Sequence, residues 1–161
     1  MAKSAFFSFY YQRDNWRVQQ VMKMGAVEGQ PLLNSQDWET VEKQGPKAVE
    51  NWIEKQMKYK SAVVVLVGAQ TAKRPWVKYE ITKAWNERRP LVGIRIHGLA
   101  DVNSKTDFLG PNPFNEVGLQ GGGTVGSYVT LHDPVGSNSQ AVYASIKNNI
   151  GSWVDNAYKR S

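Results

Sequence analysis

Apolar positions change their period along this chain, and the changes divide it into elements. Residues 4–11 (SAFFSFYY) are dense in aromatic residues that favour extended backbone, which predicts a buried first strand. Asp14 is a helix-capping residue type, and beyond it Val18, Val21 and Met22 share one helical face. Residues 25–33 carry turn-forming Gly and Pro and predict irregular backbone, while residues 34–43 give a weak segment around Trp38. Pro46 suits a first helical position, and Val49, Trp52, Ile53 and Met57 repeat at helical spacing up to Lys58 and Lys60, cations suited to a helix C-terminus. Residues 62–67 form an almost unbroken β-branched run, the pattern of a central parallel strand covered on both faces. Pro75 opens another helix to about Arg88, with Val77, Ile81, Ala84 and Trp85 as its inward stripe. Residues 91–96 read as the next buried strand.

From 98 to 127 the pattern dissolves into Gly, Pro and Asn, including GPNPF at 110–114 and GGGTVG at 121–126. A loop of that length in a compact domain is expected to be functional, disordered or both. Residues 128–131 offer a short strand, and Ser137 or Ser139 begins a last helix with Val142, Ile146, Ile150, Trp153 and Ala157 inward. Strand and helix alternate at the rhythm of a parallel sheet with crossover helices. The expected architecture is therefore α/β: a three-layer flavodoxin-like sandwich around a central, mostly parallel sheet of about five strands. At 161 residues, 1–161 makes one domain with one proper core.

Composition narrows the chemistry. The chain has no Cys and only two His, His97 and His132, so disulfides, thiolate sites and most Ser-His triads drop out. Both histidines follow strand-like segments and are expected to pack or cap rather than bind a metal. Catalysis has to rest mainly on Asp or Glu. The longest apolar stretch, residues 62–69, is under half of what a bilayer-spanning helix needs, and Arg13 and Asp14 interrupt the apolar start before a signal-peptide core forms. A cytoplasmic protein without a membrane segment is expected. Of the net charge of +6, five units fall within residues 61–100, where seven Lys and Arg face only Glu80 and Glu87. Such a segment favours an anionic partner, or is simply a solvated helix face.

In open parallel sheets ligands bind beyond the carboxyl ends of the strands. Phosphate-cradling patterns fail there: neither GxxxxGK[ST] nor GxGxxG follows a strand, and the 121–126 tract lacks the lysine of a P-loop. The informative stretch is RPWVKYEITKA at 74–84. On a helix starting at Pro75, Trp76 and Glu80 lie one turn apart on a shared face, and Glu80 borders the inward stripe, which predicts a half-buried carboxylate. The same residues also admit a surface pairing of Glu80 with Lys78 or Lys83 and ordinary packing for Trp76.

Phe7-Ser8-Phe9 on the first strand and Trp76-Val77-Lys78-Tyr79-Glu80 on a later helix together resemble a TIR domain, with its aromatic-x-Ser strand motif and W-x-x-x-E helix motif. More narrowly, FFSFYYQ at 6–12, Asp37-Trp38-Glu39 and GPNPF at 110–114 are similar to the short TIR-like proteins of the bacterial Thoeris anti-phage system, the ThsB family. The resemblance covers nearly the whole chain and implies a NAD glycohydrolase or ADP-ribosyl cyclase. NAD is then a substrate, no further cofactor is called for, and the product is a cyclic ADP-ribose type messenger that activates a separate effector protein. A phage-derived trigger and homo-oligomeric assembly are implied in the same way.

The position matched to the catalytic glutamate is Glu80. Ser8, Tyr10 and Tyr11, at or just after the end of the first strand, are candidates for ribose or phosphate contact, Arg17 for the pyrophosphate, and Trp76 for stacking or for bracing the helix; many members carry His where Tyr10 stands. The competing expectation is a TIR-like interaction or scaffold module without turnover. A nucleic-acid module ranks behind both, because no metal-holding acidic cluster accompanies the basic segment.

Overall fold

The computed structural model describes residues 3–33 and 35–161. Five strands, β1 (Lys3–Ser8), β2 (Val27–Glu28), β3 (Ala62–Val67), β4 (Leu91–Arg95) and β5 (Leu131–His132), form one sheet in the order β2-β1-β3-β4-β5. Every pairing is parallel, with Ser8 opposite Val65 and Val67 opposite Arg95. This is the flavodoxin-like order expected from the alternation of strand and helix.

Five helices cover the sheet: α1 (Tyr11–Lys23), α2 (Ser35–Lys43), α3 (Pro46–Met57), α4 (Pro75–Asn86) and α5 (Ser139–Asp155). Because strand side chains alternate between faces, the continuous apolar runs feed two cores. Phe7, Val64, Leu66 and Ile94 pack with Val18 of α1 and Ile146 of α5. Phe6, Val63, Val65 and Val67 pack instead with Ile53 of α3 and Val77 and Ile81 of α4. Both faces are covered, and all six positions of β3 are apolar and buried.

Several boundaries differ from the sequence expectation. The first strand stops at Ser8 rather than running to residue 11, and Tyr10 and Tyr11, just after its end, already cap and begin α1. Asp14 is no cap: Tyr10 holds the N-cap position without a side-chain hydrogen bond, and Asp14 is fully buried in the first turn. The weak segment around Trp38 is the helix α2; Asn34, its expected first residue, lies outside the described residues. The last strand pairs at Leu131 and His132 rather than across 128–131, and Asn138 caps α5 by accepting from the Ala141 amide.

The segment from 98 to 127 is folded. It holds short 3-10 turns at Pro113–Glu116 and Val125–Ser127, and Phe114 and Val125 are fully buried against the α4 side of the sheet. Gly93 of β4 makes this possible, because a Cβ there would lie 2.6 Å from the Phe114 ring. No helix among the described residues is long and apolar enough to cross a membrane.

Candidate active site

Pro75 starts α4, and the buried positions that follow are Val77, Glu80, Ile81 and Ala84. These are i, i+3, i+4 and i+7, one complete inward stripe, with a carboxylate where the pattern calls for an apolar side chain. Glu80 is 7% exposed, more deeply buried than its expected place at the stripe's edge. Its partner comes from the other end of the core: the Ser8 hydroxyl, on the last residue of β1, donates to Glu80 Oε1 at 2.6 Å. Burial pushes the Glu80 carboxyl up from 4.5 to about 8, and the Ser8 hydrogen bond offsets this only in part. The free protein therefore holds Glu80 mainly protonated at neutral pH.

Glu80 opens into a chamber of about 50 Å³, walled largely by the rings of Phe9, Tyr11, Trp38, Trp52 and Trp76. Phe9, Tyr11, Trp38 and Trp76 also border a second, outer hollow of about 190 Å³, so the two are steps of one cleft. Tyr11 stacks on Trp38 at 6.0 Å, Trp38 meets Trp52 edge-on at 5.5 Å, and Trp76 meets Tyr79 edge-on at 5.4 Å. The cleft lies at the carboxyl end of β1, between the segment that follows β2 and the helices α2, α3 and α4.

One wall of the chamber is held by an amide that nothing in the sequence singled out. Gln30 is buried after the two-residue strand β2; its side chain accepts from the Phe7 amide at 2.9 Å and donates to the Phe7 carbonyl at 2.8 Å. A side chain thus continues the strand pairing where the backbone of β2 has left it, fixing Pro31, Leu32 and Leu33 over the chamber. A lone Gln in an irregular Gly-Pro segment carries no periodic signal.

The sequence candidates divide accordingly. Glu80, Tyr11 and Trp76 line the inner chamber, Ser8 is buried behind it and reaches it only through its hydrogen bond to Glu80, and Tyr10 borders only the outer hollow. Arg17 does not reach the cleft, which corrects its expected place beside a ligand's pyrophosphate. It is 2% exposed: Nη1 donates to Asp14 Oδ1 at 3.0 Å, Nε to the Leu99 carbonyl at 2.9 Å and Nη2 to the Lys105 carbonyl at 3.0 Å. The burial of Asp14 next to Gly68 requires that cation, and Arg17 in return ties down the start of the long loop.

Much of the basic surplus is likewise spent inside the protein. Lys83 and Arg89 pair with Glu87, Arg89 also donates to the Met57 carbonyl, and Arg95 donates to the Gly110 carbonyl. His132 stacks on Trp153 at 4.6 Å, the packing role expected of it, and burial lowers its pKa as it does that of His97. No group of three or more His, Asp or Glu among the described residues is arranged to hold a metal ion.

Comparison with known proteins agrees with this architecture. The family described as Thoeris protein ThsB, TIR-like domain, matches residues 6–101, a span from β1 through α4 and β4. A Bacillus cereus (strain MSX-D12) protein named "Putative cyclic ADP-D-ribose synthase ThsB1" is 32% identical over 130 residues, covering 74% of this chain. The match spans 65% of that relative's length. With the flavodoxin-like sheet and the convergence of Ser8, Trp76 and Glu80, the match over most of the chain shows that this protein belongs to the ThsB family of Thoeris TIR-like proteins.

Proposed function

We propose that the protein consumes NAD, breaking the bond between nicotinamide and ribose and forming a cyclic ADP-ribose type product. The observation that carries this reading is the buried carboxyl of Glu80, held by Ser8 at 2.6 Å at the bottom of an aromatic cleft. The name borne by the Bacillus cereus relative supports the same reaction class.

The chemistry suits these residues. Nicotinamide departs from a cationic glycoside as a neutral molecule, so no general acid is needed and the scarcity of histidine is no handicap. The bond that breaks is the C–N bond to the pyridinium ring, whose nitrogen takes the electron pair; positive charge then develops on the ribose. A carboxylate preorganised beside that ring stabilises the charge as in glycoside hydrolysis. One such group in a site poor in water is worth about 3 kcal/mol, roughly a hundredfold in rate. Glu80 takes this role once ionised, and the positive charge of the incoming substrate is what lowers its pKa in the complex. Ser8 orients the carboxylate, and the flat faces around it receive the nicotinamide. Attack on the same carbon by a hydroxyl of the ADP-ribose moiety closes a ring, and attack by water gives the linear product; in either case the attacking oxygen gives up its proton to solvent or to the Glu80 carboxylate as the C–O bond forms.

Purified protein incubated with NAD, alone and with lysate of phage-infected cells as trigger, is expected to release nicotinamide and a cyclic product identified by mass spectrometry. Glu80→Gln is expected to lose at least about a hundredfold in turnover. Full turnover by Glu80→Gln refutes the role of Glu80.

One observation favours the competing reading, a scaffold module without turnover. At about 50 Å³ the inner chamber has room for only a few water molecules, less than a nicotinamide ring occupies. A scaffold yields no nicotinamide under any trigger and is indifferent to Glu80→Gln.

A further inference from the structure

We infer that Arg74 is the diphosphate-binding residue of this cleft, the part that the sequence pattern led us to expect of Arg17. The inference rests on the NAD reading above and adds the group that recognises the phosphates. Arg74 is the N-cap residue of α4 and lines the outer hollow together with Tyr10, Trp76 and Glu42. Its guanidinium carbon sits 4.4 Å over the centre of the Tyr10 ring, which fixes the side chain by a cation–π contact. Its Nε is buried, and the guanidinium has no hydrogen-bond or ion-pair partner among the described residues. An orphaned, buried donor on a cation is costly unless something fills it. Arg160 shares the buried, unpartnered Nε and lies over Trp85, but it borders a different hollow, while four further arginines are engaged within the protein. Arg13 pairs with Asp107 through two hydrogen bonds, and Arg17, Arg89 and Arg95 bind backbone carbonyls.

The spacing suits a dinucleotide. Glu80 and Arg74 are six residues apart, about 9 Å of helix rise. A long side chain easily takes up the distance from a scissile ribose carbon over Glu80 to the first phosphate beyond the ribose. The planar fork of a guanidinium also matches phosphate oxygens in a bidentate manner. Lys73 lines the next hollow on the far side of Arg74, together with Gln70 and Pro111, and extends the positive rim. The uncapped first turn of α4 lines the same outer hollow and adds the positive end of its dipole. Glu42 is the one carboxylate bordering the outer hollow; it is exposed and makes no ion pair with Arg74.

The test is calorimetric titration of the full chain with inorganic pyrophosphate and with ADP-ribose, for wild type, Arg74→Gln and Arg74→Lys, alongside the KM for NAD. Arg74 is at the surface end of the cleft, and matched thermal melts establish that the variants fold. Arg74→Gln is expected to weaken both ligands and to raise KM about ten- to hundredfold with a far smaller change in kcat, and Arg74→Lys to recover part of the loss. Pyrophosphate that binds wild type and Arg74→Gln equally, or does not bind wild type, overturns the assignment even where NAD is consumed. Pyrophosphate binding that depends on Arg74 in a protein releasing no nicotinamide upholds the anion site and refutes the NAD reading alone.

Discussion

Replacing Glu80 by Gln should make the protein more stable, and increasingly so as pH rises. In the folded chain burial holds the Glu80 carboxyl at about 8, against an ordinary value of 4.5. Between these two values the folded state binds the proton more tightly than the unfolded state, so this group removes stability progressively as pH rises from 4.5 through 8. At 1.36 kcal/mol per pH unit, the penalty relative to a neutral group is about 1 kcal/mol at pH 5.5, about 3 at pH 7 and about 5 at pH 9. Gln has nearly the same shape, keeps an oxygen to accept from Ser8 and cannot ionise. Urea denaturation of wild type and Glu80→Gln at pH 5.5, 7 and 9 measures the difference directly. Contributions from every other titrating group cancel between the two proteins. The gap in favour of Gln is expected to widen by about 3–4 kcal/mol between pH 5.5 and 9, or roughly 6–16 °C in Tm for a chain of this size. A gap constant within about 0.5 kcal/mol over that range would mean that Glu80 is solvated and ionised in the folded state, and would refute the reasoning. A carboxylate kept at such a cost to stability is the mark of a functional position.

The same ionisation should govern activity: kcat/KM for NAD is expected to rise with pH along a limb near pH 8, with the limb in kcat displaced to lower pH by the cationic substrate, as pH-rate profiles will report. Replacing Gln30 by Leu strands the buried amide and carbonyl of Phe7, for an expected loss of about 2–4 kcal/mol in urea denaturation. Arg17→Met leaves Asp14 buried and unpaired, at a cost of about 3–5 kcal/mol, most of which the double variant with Asp14→Leu should restore.

The fold was legible because its elements carry strong local signals. The β-branched run of β3 can pack only between two covered faces, and the prolines at 46 and 75 mark helix starts that hold to the residue. The order of the long loop, against the alternative of disorder, is not legible in the local pattern because it comes from Phe114 and Val125 reaching the α4 side of the sheet, and Gly93 leaves no trace there to announce that room. Glu80 was legible as a candidate from its spacing to Trp76. Its full burial was missed because a glutamate on a helix normally turns outward, although the 77-80-81-84 stripe already contained it.

By itself, then, the sequence determined the layered α/β scaffold, the helix that bears Glu80 and the absence of thiol chemistry, since these follow from residue type and from a period read over a few turns. Only the tertiary structure decided what each polar group touches. Ser8 and Glu80 are 72 positions apart and meet because β1 and α4 pack face to face; Arg17 was taken out of the site by Asp14 and by carbonyls more than 80 residues away; and Gln30 found its partners across the sheet. Burial, and with it the pKa of a carboxyl or the need of a cation for an acceptor, is a property of the assembled surroundings, and no local stretch of chain contains it.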